Sequence, residues 1–110
     1  MFGKKYNTLI QNVELENIAE DYKKAKRLGQ YKISDNALYK ADGSYIPFSG
    51  VKEYIQDYAE IHTVGCCGGG TLVDRIVFIA ENDRIAVLFD SKKQVEIVDD
   101  LLKRHDISKR

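Results

Sequence analysis

The sequence predicts a mainly β domain of the α+β class. About seven short antiparallel strands either close on themselves as a barrel or fold into a sandwich, with a helix at each end. Three observations lead there. Residues 30–90 carry short runs rich in Tyr, Phe, Ile and Val, broken by Asp, Asn, Ser and Gly of the kind that make turns. No helix-length segment separates most of these runs, so βαβ crossovers and a doubly wound parallel sheet are not expected. Amphipathic helical patterns flank the region, and the second needs an apolar surface to cover, which the open end of a curled sheet offers.

The first helix is predicted over Val13–Leu28, where Leu15, Ile18, Tyr22 and Ala25 fall on one face. Asn12 is the expected N-cap, Glu14 and Glu16 load the first turn, Lys24, Lys26 and Arg27 the last, and Gly29 the stop. Strands follow at Tyr31–Ile33, Ala37–Lys40 and Ser44–Phe48, with Pro47 suited to the end of an edge strand. Val51–Tyr58 and Glu60–Val64 read as two more, although Val51, Tyr54, Ile55 and Tyr58 also fit a helix. After the glycine tract Gly65–Gly70, the runs Thr71–Ala80 and Arg84–Phe89 flank Glu81-Asn82-Asp83 as a hairpin. Val95, Val98, Leu101 and Leu102 mark a closing helix from Ser91 to about His105. The organisation expected is thus a helical extension (residues 1–29), one domain (30–105) and a fraying tail (106–110).

With 110 residues, 44% of them hydrophobic and 31% charged, the chain suits one globular domain rather than a disordered segment. Seventeen basic residues balance seventeen acidic ones, but unevenly. Residues 1–30 hold six basic and four acidic groups, residues 31–90 five and nine, and residues 91–110 six and four. An acidic middle between weakly basic ends matches neither phosphate backbones nor anionic lipid, so neither nucleic acid nor strong membrane binding is expected. The cytoplasm is the expected compartment, since the start MFGKKYNT lacks a signal-peptide core and the two cysteines are adjacent, which suits reduced thiols.

Few residues suggest chemistry. His62, Cys66 and Cys67 form an H-x₃-C-C pattern with ligand types that suit zinc, or a thiol-based redox sensor. Adjacent residues on an extended backbone point apart, and no second ligand pair accompanies them, so two ordinary thiols are the simpler reading. No metal and no cofactor is expected. The tract Gly65–Gly70 lacks the lysine and the following helix of a phosphate loop and reads as an inter-strand connection. No G-x-S-x-G elbow frames a serine, and Glu53, Asp57 and Glu60 read as a solvated strand face. Five of the seven tyrosines lie between Tyr31 and Tyr58, where half-buried core positions and an interface are both open readings.

The run Tyr31-Lys32-Ile33-Ser34-Asp35-Asn36-Ala37-Leu38-Tyr39, then Ile46-Pro47-Phe48-Ser49-Gly50-Val51-Lys52-Glu53-Tyr54, and the Arg75–Phe89 hairpin with Ser91–Arg104 behind it, resemble the bacterial pleckstrin-homology-like (PH-like) domains. The likeness spans about residues 30–105. It implies a seven-stranded, partly open barrel capped by one helix and used for binding rather than catalysis. The basic cluster with which related domains hold inositol phosphates is reduced here to Lys32 and Lys40, beside Asp35 and Asp42, so a phosphoinositide ligand is not expected. The function expected is a non-enzymatic module that binds a protein or peptide, or a second copy of itself, as a homodimer would.

Overall fold

A computed structural model describes residues 6–62 and 70–110, apart from the side chains of residues 60–62, 70 and 71. The fold is mainly β with two helices. In chain order the elements are β1 (Asn7–Thr8), α1 (Ile18–Lys24), β2 (Lys26–Leu28), β3 (Tyr31–Ile33), β4 (Ala37–Tyr39) and β5 (Ser44–Pro47). A 3-10 turn, Phe48–Gly50, leads into β6 (Glu53–His62), β7 (Gly70–Ile79), β8 (Arg84–Phe89), α2 (Lys92–Arg104) and β9 (Ser108–Lys109). One sheet has the order β1-β5-β4-β3-β2 and the other β8-β7-β6-β9. The hairpin-linked neighbours are antiparallel, whereas β1 on β5 and β9 on β6 are parallel, so both sheets are mixed. Among the described residues no strand pairing joins the sheets into a ring, and no helix is long and apolar enough to cross a membrane.

Alternation explains the main core. Ile33, Leu38 and Ile46 from one sheet meet Tyr54, Ile76, Phe78, Val87 and Phe89 from the other. The α2 stripe, Val95, Val98, Leu101 and Leu102, buries itself in the same cluster, as its spacing predicts. Strands β4 and β5 are buried on both faces. Their second face, Ala37, Tyr39 and Tyr45, carries a smaller core closed by Leu15, Ile18, Tyr22 and Ala25 of the N-terminal segment. The first sheet is therefore a middle layer between α1 and the main core.

Several expectations change. The helix predicted over 13–28 is confined to Ile18–Lys24. Its apolar stripe packs as the period requires, but Ala25 turns extended (φ −67°, ψ 140°) because Lys26–Leu28 gain a ladder with Tyr31–Ile33 and bury Leu28. Asn12 is no cap: it sits at φ 67°, a left-handed turn, and Asn17 takes the N-cap position. Gly29, at φ 63°, makes the two-residue turn of that hairpin, where a Cβ would lie 2.6 Å from the Gln94 side chain. The two strands expected at 51–58 and 60–64 are one, β6, paired without a break from Glu53↔Ile79 to His62↔Gly70, and the helical alternative there is excluded. Nine strands stand among the described residues against the expected seven: the fusion into β6 removes one, and the short β1, β2 and β9 add three at the sheet edges.

Residues 106–110 do not fray. Asp106 adopts φ 58° after α2, its N–H bonding Lys103 O (3.0 Å) while the Ile107 N–H bonds Leu102 O (3.0 Å). That pair of bonds is a Schellman stop. It turns the chain back so that Ile107 enters the main core and Ser108–Lys109 run along β6.

Candidate functional site

Of the residues with metal-ligand chemistry, His62 ends β6 opposite Gly70. Its side chain, and all of Cys66 and Cys67, lie outside the described residues, so the proposed ligand trio is not placed here. Among the described residues no group of three or more His, Cys, Asp or Glu is positioned to hold a metal. His105 serves structure instead: its Nε2 donates to Asp35 O (2.5 Å) and its ring packs against Phe48 at 5.6 Å.

Two carboxylate–phenol pairs tie helices to sheets. Asp21 on α1 accepts from Ser34 Oγ (2.5 Å), Asn36 Nδ2 (2.8 Å) and the Tyr39 hydroxyl. Burial, and then the hydrogen bond to Asp21, push the Tyr39 phenol far above its ordinary pKa. On α2, Asp99 accepts from the Tyr54 hydroxyl and pairs with Lys103 at 3.0 Å. Tyr54 is raised by burial and by Asp99. Burial opposes ionisation of Asp99 itself, but the bonds from Tyr54 and Lys103 and the charge of Lys109 prevail and hold it below the usual range. In both pairs the phenolic proton is locked onto its carboxylate, so each pair is a clamp between elements.

A groove of about 470 Å³ runs between the end of α1, the β3–β4 turn and α2. Its floor holds Ile33, Leu101 and Ile97, the last 40% exposed. Lys24, Lys26 and Arg104 share its walls with Asp21, Asp35 and Asp100, so it presents no single sign of charge.

The outer half of β6–β7 is different. These strands pair over ten positions, yet β8 reaches only to Asp74, opposite Phe89, and β9 covers only Glu53 and Tyr54. Beyond those points β6 and β7 form a two-stranded ribbon whose two outer edges have no strand partner among the described residues. Tyr58 (57% exposed) and Leu72 (69%) stand on it as diagonal neighbours, two residues out of register with each other, on the face that further back turns Tyr54 and Ile76 into the core. At its base Arg75 grips Asp57 through two 2.7 Å bonds, which hold the carboxyl below its ordinary range. On the opposite face Ile55, Val77 and Ala86 make a cross-strand apolar row.

No family model, curated protein or solved structure matches this chain. A two-stranded ribbon is marginal alone in water, and unpaired N–H and C=O groups beside exposed apolar side chains are a template for another chain. Sequence reading picked out the tyrosines as a group but not Tyr58 or Leu72 in particular. The signal was available: the runs at 53–62 and 70–79 outlast the six-residue β8, so part of the hairpin has to lack a third strand.

Proposed function

We propose that this chain is a PH-like, non-enzymatic binding and assembly module of the cytoplasm, and that it engages protein, in the first place a second copy of itself, through the β6–β7 ribbon. Support for the PH-like part comes from the order of elements. A four-strand antiparallel meander, β2–β5, precedes a three-strand meander, β6–β8, and the helix behind them buries its apolar stripe in the core that the two sheets share. In this reading the two sheets are the halves of a partly open barrel, and β1, α1 and β9 elaborate it.

The observation that carries the binding role is the ribbon with Tyr58 and Leu72 exposed on one face. A partner strand added along the edge of β6 or β7 completes the ladder, while those side chains supply the apolar anchor. Phosphoinositide and nucleic acid fit poorly. Lys32, a cation of the comparable hairpin, lies over the Tyr22 ring at 4.7 Å, and Asp42 caps the backbone and hydroxyl of Ser44.

The test is sedimentation velocity over a wide concentration range. The chain is expected to dimerise, and Tyr58→Lys with Leu72→Lys to abolish dimerisation while leaving the melting temperature within a few degrees, since both side chains are exposed. A strictly monomeric chain at millimolar concentration overturns the assembly role.

A further inference from the structure

We propose that the channel between the edge of β6 and helix α2 is a binding site for extended basic peptides, and that residues 107–110 are its built-in occupant. The contacts of that segment read as peptide recognition. Ser108 and Lys109 pair in parallel with Glu53 and Tyr54, and the Arg110 N–H bonds Tyr54 O at 2.8 Å, which is strand addition to an edge. Ile107 fills an apolar hole in the main core. Each basic side chain then meets its own wall. Lys109 Nζ donates to Gln56 Oε1 (2.7 Å) and lies 3.9 Å from Asp99, while Arg110 Nη2 donates to Glu53 Oε2 (2.8 Å). The occupant selected is an extended segment with an apolar residue two positions ahead of a Lys-Arg pair.

Two features make the occupant exchangeable. It forms only a two-residue strand on a ten-residue one, joined to α2 by the single left-handed residue Asp106. A longer segment from another chain, running the same way, continues past Arg110 along Ile55–His62 and reaches the exposed Tyr58, which the resident segment does not. The resident holds the channel through its tether, which acts as a high local concentration that a competitor must exceed. This inference rests on the protein-binding reading above, and its channel at Glu53–Gln56 meets the ribbon of that reading only where a longer occupant continues along β6.

The probe is a fluorescein-labelled peptide with the sequence of residues 105–110, His-Asp-Ile-Ser-Lys-Arg, followed by fluorescence anisotropy. The full chain carrying Lys109→Glu and Arg110→Glu has its own segment repelled by Glu53 and Asp99, and is expected to bind the probe at least about tenfold more tightly than the unaltered chain. Glu53→Ala added to that variant is expected to reverse the gain, and a probe with Glu at both basic positions to bind neither protein. Equal probe affinity for the unaltered and the charge-reversed chains overturns the proposal. Should charge reversal disturb the fold, as circular dichroism would report, Lys109→Ser with Arg110→Ser removes both side-chain anchors of the resident segment without adding charge, frees the hole for the probe and reads the same gain. The short probe does not reach Tyr58, so loss of ribbon-mediated dimerisation leaves this measurement readable.

Discussion

Asp106 holds a left-handed conformation, φ 58°, at the position of a helix stop where glycine is the usual choice. Its own N–H and that of Ile107 close the stop, so the conformation is imposed by the fold and not by the aspartate. Asp106→Gly removes the Cβ penalty, offset in part by the freer unfolded chain, and is expected to stabilise the protein by about 0.5–1 kcal/mol. A thermal melt checks this as a rise of a few degrees. The sign reverses at Gly29, where the φ of 63° makes Gly29→Ala destabilising by about 1 kcal/mol. The clamps set the response to pH. Asp99 is depressed in the folded state, so its contribution is complete above the unfolded carboxyl pKa of about 3.9 and is lost as pH falls through the lower folded value. Tyr39 and Tyr54 are raised, so theirs is complete below the unfolded phenol pKa of about 10 and is lost as pH climbs above it. Urea melts across pH are expected to show Tyr54→Phe flattening the fall on both sides and Tyr39→Phe mainly the alkaline one.

At the scale of elements, legibility followed the competition between local pattern and pairing. The β7–β8 hairpin and α2 could be read because strand alternation, polar turn, Ser91 N-cap and apolar stripe all agree with the final packing. The end of α1 could not, because Lys26-Arg27-Leu28 is good helix sequence that is worth more as a strand once Tyr31–Ile33 is beside it. Strand β9 was hidden for a related reason: a two-residue strand has no period, and its register depends on a turn that uses Asp106 where sequence rules look for glycine. The ribbon was legible as hairpin but not as site, since exposure of Tyr58 and Leu72 depends on how far β8 and β9 extend. The helix gives a sharp check on packing. Leu102 is fully buried in the core and Ile97 lines the open groove. Leu102→Ala is expected to cost about 2–5 kcal/mol and Ile97→Ala under about 1 kcal/mol, measured by denaturant unfolding. Equal costs would falsify the orientation of α2.

For the molecule as a whole, the question is whether residues 1–28 decorate a self-sufficient domain or are part of it. Strands β1 and β2 form the two edges of the first sheet, and Ile10 and Leu28 sit in the main core with residues from both sheets and α2. The outer face of β4 and β5 depends on the same segment. Tyr6 and Tyr22 pack on Tyr39 at ring separations of 6.4 and 5.1 Å, and Leu15, Ile18 and Ala25 close the smaller core. Asp21 accepts from the Ser34, Asn36 and Tyr39 side chains, which would lose that charged acceptor together. Removing the segment therefore bares an aromatic sheet face, strips both edges and leaves polar groups unpaired, each a change of about 1 kcal/mol or more in a protein of marginal stability. A chain starting at Gly29 is expected to lose its cooperative melting transition and to aggregate, seen by circular dichroism and size-exclusion chromatography. A sharp transition within a few degrees of the full chain would instead make the two-sheet core independent, with α1 and its flanking strands reduced to a cover over one face.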